Sequence, residues 1–224
     1  MAVSRPAGDT GGADPAVTAA LAAYAAGEAT EHAVLTAVAA SRLLVPVVAV
    51  IAEDGADAAV PSALDSAPVG SRSEKETEMA LPTLIGNDGR KAVIAFTGTD
   101  TVRRWRADAR PVPVPAARLW PAVATEQADA VVIDVAGPVP LVIEGARLRA
   151  LASGAPPPLP HEDPDIRAQV AAVTGDFTLG PGGQDAELTV TLKTQDTAAA
   201  RAAAGAIAAR LAPRLRRGIA VRLG

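Results

Sequence analysis

The sequence predicts an α+β protein: a mixed sheet packed with helices, followed by a second, smaller α-β-β-α-β domain. Three observations predict it. Val93-Ile94-Ala95-Phe96 and Val131-Val132-Ile133 are apolar at every position, as strands covered on both faces require. Leu119, Trp120 and Val123, lying between those runs, recur at helical spacing. Further on, Leu188, Val190 and Leu192 alternate with Glu187, Thr189 and Thr191, the mark of a strand with one wet face.

The 224 residues suit one large or two small domains. Hydrophobic residues make up 49% of the chain, enough for a core, but aromatics are only 2%, so that core is mainly aliphatic. The net charge of −4 gives no electrostatic case for general nucleic-acid binding. With no cysteine, the chain forms no disulfide, thiolate nucleophile or cysteine zinc site. Arginine greatly outnumbers lysine, a composition that suits a bacterial chain.

Residues 1–14 are polar and Gly-rich and are expected to be disordered. They carry no apolar stretch of the kind a targeting segment needs, and no run in the chain is long enough to cross a membrane. A cytoplasmic protein is therefore expected. Asp14 and Pro15 suit a helix start, and Val17, Leu21 and Tyr24 follow at helical spacing. Gly27 interrupts. Thr30 can cap a second helix bearing Val34, Leu35 and Val38. Leu43 to Ile51 reads as a buried strand, placed at an edge by Pro46, which has no N–H to donate.

Residues 53–73 read as a loop, ending in the charged run 72–78. That run favours a solvated strand entry over a cation site, because hard cations want convergent oxygens. Met79 to Ile85 and Arg90 to Phe96 form a hairpin across Gly86-Asn87-Asp88-Gly89, with a bulge at Gly89. Thr99 is expected to cap the next helix, and Val102 and Trp105 to return it to the sheet. Residues 110–115, RPVPVP, are extended by their prolines. A helix over 116–127, strands at 130–135 and 141–143, and a helix over 145–152 complete the first domain.

The hairpin ending in Phe96-Thr97-Gly98, the short helix carrying Trp105, the upstream run Arg42 to Val47 and the later run Ala130 to Glu144 together resemble the N-terminal domain of SseB-family proteins. The resemblance covers roughly residues 15 to 153. It implies no catalytic residues, and the family name, from enhanced serine sensitivity, implies at most a remote tie to amino-acid metabolism.

Residues 154–162, centred on three consecutive prolines, are expected to link the domains. The domains are then 15–153 and 163–224, each with helices and strands to cover its own core. In the second, Asp163 and Pro164 begin a helix, 174–179 and 187–193 form strands around a turn at 180–183, 197–211 is an Ala-rich helix, and 219–223 is a last strand.

The chain has no P-loop, no dinucleotide-binding glycine fingerprint and no nucleophile elbow. No cofactor and no metal site is therefore expected. His32 and His161 lack neighbouring ligand patterns and are expected to be exposed. Asp134 interrupts an apolar strand near its C-terminal end, where open α/β sheets gather ligands. The plainer expectation is that its carboxylate bonds backbone N–H groups of the turn at Gly137. Arg210, Arg214, Arg216 and Arg217, with Arg201 and Arg222, form a basic patch that suits an acidic partner or a set of cations near a helix end. Phe177 is the one aromatic in that region, too few for base stacking, so nucleic acid is not the expected partner. Trp105 is expected to be a core anchor, with contact to a partner as its alternative role.

The leading expectation is a non-enzymatic interaction or regulatory module whose partner is another protein. The alternative is an enzyme or sensor that binds a small anionic ligand through Asp134 or the C-terminal arginines.

Overall fold

The computed structural model describes residues 11–47, 83–86 and 88–224. The first half of the chain forms α1 (Pro15–Ala25), α2 (Glu31–Ala39), β1 (Arg42–Val47), β2 (Thr83–Ile85), β3 (Lys91–Ala95), α3 (Thr99–Trp105), β4 (Arg110–Pro115) and α4 (Ala116–Thr125). The rest forms β5 (Ala130–Ile133), β6 (Leu141–Glu144), α5 (Gly145–Ala152), α6 (Pro164–Ala171), β7 (Phe177–Pro181), β8 (Leu188–Leu192), α7 (Thr197–Leu211) and β9 (Ile219–Leu223). Helices with mixed and antiparallel sheets make this an α+β fold. The loop and charged run expected over 53–78, the hairpin residues before Thr83, Asn87, the strand residues after Val47 and residues 1–10 of the stretch 1–14 expected to be disordered lie outside the described residues, whereas Gly11 and Gly12 accept hydrogen bonds from Thr99 and Arg42.

The elements pack as two compact units that do not follow chain order. Residues 11–14 and Ala40–Glu144 form one, and Pro15–Ala39 with Gly145–Gly224 form the other. The Pro-rich segment 154–162 thus lies within the second unit, between α5 and α6. Proline composition marks where a chain is extended, not which helices share a core.

In the first unit the sheet order is β2-β3-β5-β6, with β3 and β5 parallel and both outer pairs antiparallel. A parallel pair needs a long crossover, and α3, β4 and α4 supply it. Val93, Val131 and Ile143 stand in one row across the sheet, as do Ala95, Ile133 and Leu141, and all six are buried. The other face carries the row Ile94, Val132, Val142. There Leu44, Phe96 and Val102 form a cluster with Ile94, and Trp105 packs at its margin, its ring centroid 5.5 Å from that of Phe96. Antiparallel β1 and β4 form a separate ladder, tied to the main sheet by two backbone bonds between Leu44 and Phe96. Gly89, at φ +78°, closes the hairpin between β2 and β3. The N-cap of α3 is Gly98, not Thr99, whose own N–H donates to the Gly11 carbonyl.

In the second unit β7 and β8 are antiparallel and β8 and β9 parallel, with α7 as the crossover. Gly180 and Pro181 pair with Thr189 and Leu188, so β7 runs into the segment read as a turn. The Gly-rich stretch 180–183 reads as a turn, but cross-strand bonding decides a strand end. Ile166, Val170, Leu188, Val190, Leu192, Ile207 and Leu211 form the apolar cluster under this sheet. Asp196 caps α7 by accepting from Ala198 and Ala199, and Asp163 caps α6 by accepting from Asp165.

Phe96 is fully buried where β1, β3 and α3 meet. Its truncation leaves a cavity that aliphatic neighbours fill only in part. Phe96→Ala is expected to cost about 3–5 kcal/mol, and Trp105→Ala less, because Trp105 is only partly buried. Urea unfolding of both variants against the parent measures the order.

Candidate functional site

The C-terminal ends of parallel β3 and β5 are where a ligand of an open sheet would sit. Asp134 is there, 3% exposed, with φ +51°. Its carboxylate does not bond the turn that follows. Oδ1 accepts from the Thr97 N–H at 2.9 Å, and Oδ2 accepts from the Thr97 hydroxyl at 2.7 Å. The turn is closed instead by the Asp134 carbonyl, which accepts from Gly137 N at 2.7 Å. The left-handed backbone at Asp134 swings its side chain toward the neighbouring strand end, which strand periodicity alone does not foresee.

The space beside those strand ends is filled by the chain itself. Arg42 donates to the Thr97 carbonyl at 3.1 Å and to the Gly12 carbonyl at 2.6 Å. Gly98 lies so close to Ala13 that a Cβ there would stand 2.8 Å from the Ala13 nitrogen. Residues 11–13 therefore rest on the β3–α3 turn.

The expected arginine patch separates into different roles. Arg210 is exposed in the last turn of α7, and Arg201 and Arg222 are exposed too. Arg214 turns inward. Its Nη2 reaches Glu31 Oε2 at 2.9 Å and Asp163 Oδ2 at 2.5 Å. Arg216 lies over the Tyr24 ring at 5.2 Å, and Arg217 donates from its guanidinium to the Gln184 carbonyl. Burial opposes the Arg214 charge, but hydrogen bonds and attraction from Glu31 and Asp163 outweigh it and raise the pKa of the guanidinium.

Four groups of this cluster escaped the sequence reading: Glu31, Arg147, Asp163 and Glu187, all buried. Arg147 donates to Glu31 Oε1. Glu187, expected on the wet face of β8, accepts from Glu31 N at 3.3 Å and Arg217 N at 3.0 Å. A signal did exist for two of them. Glu31 is three, four and seven residues before Val34, Leu35 and Val38, on the apolar face of α2, and Arg147 is four before Leu151. A charge on an apolar helical face must find a buried partner.

His32 and His161 are half-buried rather than exposed. Nδ1 of His32 has no hydrogen-bond partner among the described residues, and His161 Nε2 lies 4.0 Å from Glu162. No group of three or more His, Asp or Glu that could hold a metal ion occurs among the described residues.

Fold and site together define an α+β protein of two interleaved units whose conspicuous polar side chains pair with one another. The SseB protein N-terminal domain model matches residues 17–150, and the chain belongs to the SseB family. Comparison with curated proteins and with solved structures finds no match.

Two measurements test this account of the buried carboxylates. Asp134→Asn keeps an acceptor for Thr97 and tolerates positive φ, so it is expected to cost about 1–2 kcal/mol. Asp134→Ala strands a buried N–H and is expected to cost more, and denaturant unfolding of both checks that order. Burial raises the Glu187 pKa, so the folded state binds that proton more tightly than the unfolded chain. The contribution favours folding at low pH and is lost as pH rises through the folded-state value. The stability of the parent relative to Glu187→Gln is therefore expected to fall as pH rises from about 4 to neutrality, and unfolding curves across that range measure it.

Proposed function

We propose that this SseB-family chain is a non-enzymatic interaction or regulatory module of the cytoplasm, and that its partner is another protein. The observation that carries the reading is the row Ile94, Val132, Val142. Ile94 is 1% exposed, Val132 is half-buried, and Val142 is 46% exposed on the edge strand β6. Burial on this face of the sheet thus falls from β3 to the edge strand β6. Ile85, on the opposite edge strand β2, is 59% exposed. Apolar side chains exposed on edge strands offer apolar area to a partner protein.

Two further observations support the reading. Two of the residues that the small-ligand alternative names are engaged within the chain, Asp134 by Thr97 and Arg214 by Glu31 and Asp163. No helix among the described residues is long and apolar enough to cross a membrane.

The test is co-purification with the tagged full-length chain, followed by mass spectrometry of proteins and small molecules. A protein partner held by the parent and lost by Val142→Lys, with unchanged melting, is the expected result. Retention of that partner by Val142→Lys, or recovery of a small anion in its place, would sink the reading.

A further inference from the structure

Residues 213–217, Pro-Arg-Leu-Arg-Arg, follow α7 and reach the α1–α2 pair through three kinds of contact. The Tyr24 hydroxyl, on α1, donates to the Arg214 carbonyl at 2.8 Å and lies 3.3 Å from the Pro213 carbonyl. The Arg216 guanidinium covers the Tyr24 ring. The Arg214 guanidinium takes Glu31, at the start of α2, together with Asp163. The turn between the two helices is shaped for the same segment. Gly27 has φ +74°, and a Cβ there would stand 3.3 Å from the Arg216 carbonyl oxygen.

The segment is anchored at its middle. Leu215 belongs to the apolar cluster of the three-stranded sheet, and its N–H donates to the Leu211 carbonyl at 2.8 Å. That cluster draws its members from residues 166–221 and includes none from α1 or α2. The sheet, α6 and α7 therefore have an apolar core of their own. What 213–217 adds toward α1 and α2 is polar and aromatic: a phenol bond, a stacked guanidinium and a buried ion pair. Such contacts are directional, and they fail together when the segment shifts, because a displaced Arg214 leaves Asp163 without that cation and Glu31 with Arg147 alone.

We propose that residues 213–217 are a latch that holds the α1–α2 pair on the second unit. Its release loosens those two helices as one piece while α6, α7 and the three-stranded sheet stay folded. The latch does not depend on the partner-binding reading, since it concerns different residues and a different measurement.

Hydrogen exchange with mass spectrometry on the full-length chain tests it, using two variants. Tyr24→Phe removes the phenol bonds and keeps the ring beneath Arg216. Exchange over α1 and α2 is expected to quicken about fivefold, with β8 and α7 unchanged. Arg214→Met is expected to quicken the same two helices by at least about a hundredfold. Unchanged exchange over α1 and α2 in Tyr24→Phe would overturn the latch. Equal acceleration over β8 and α7 would overturn it too, because the unit would then open only as a whole. Should Arg214→Met fail to fold, Tyr24→Phe decides alone.

Discussion

Arg214 carries its charge where little water reaches, and two carboxylates meet it there. Glu31 comes from the first turn of α2, and Asp163 is the residue that caps α6. A buried guanidinium without acceptors is strongly unfavourable, so neither helix can seat itself elsewhere without leaving a charge alone. Asp163 serves twice, once for the α6 amide at Asp165 and once for Arg214. Glu31 is shared between Arg214 and Arg147 of α5. Three helices and the segment after α7 thus converge on one ion cluster. Desolvation offsets much of the attraction within it. Its main effect is therefore geometric: it specifies which helices belong together.

The first unit is organised by a different constraint. Its sheet is apolar at every central position, so direction and register come from pairing and from closure of the strand ends. Asp134 and Thr97 tie the ends of β3 and β5 directly, and residues 11–13 rest on the turn beside them. Polar groups that might have faced a ligand are spent on holding two parallel strands level. The large apolar side chains left outward on this sheet are Val142 and Ile85, on its two edges among the described residues. Structure and proposed use meet at this point, since exposed apolar side chains on edge strands are where a partner protein would gain apolar contact.

Between the two units the chemistry divides. The second buries a cluster of charged groups and keeps an apolar cluster under one small sheet. Among the described residues, the first keeps its interior apolar apart from the Thr97–Asp134 pair and leaves side chains such as Val142 in contact with water. The family-matched stretch, residues 17–150, contains elements of both, because α2 and most of α1 and α5 lie inside it yet pack with the C-terminal part of the chain.

The element pattern was readable in the sequence because it is local. The expected helices 145–152 and 197–211 and the strand 219–223 stand where the spacing of Leu148 and Leu151, of Ala203, Ile207 and Leu211, and the run after Gly218 put them. Helix and strand periods repeat over a few residues, so neighbouring positions carry the signal. The resemblance of residues 15 to 153 to the SseB family was readable for the same reason, through the order of short segments. The partners of charged residues were not. Glu31 and Arg214 are 183 positions apart, and Asp134 and Thr97 are 37 apart, separations at which no periodic signal survives. The turn at Asp134 needed a positive φ that nothing in its apolar strand announces. The sequence by itself determined which stretches are helix and strand. Only the tertiary structure decided which of them share a core and where each buried charge finds its counter-charge, because those choices rest on contacts between distant parts of the chain.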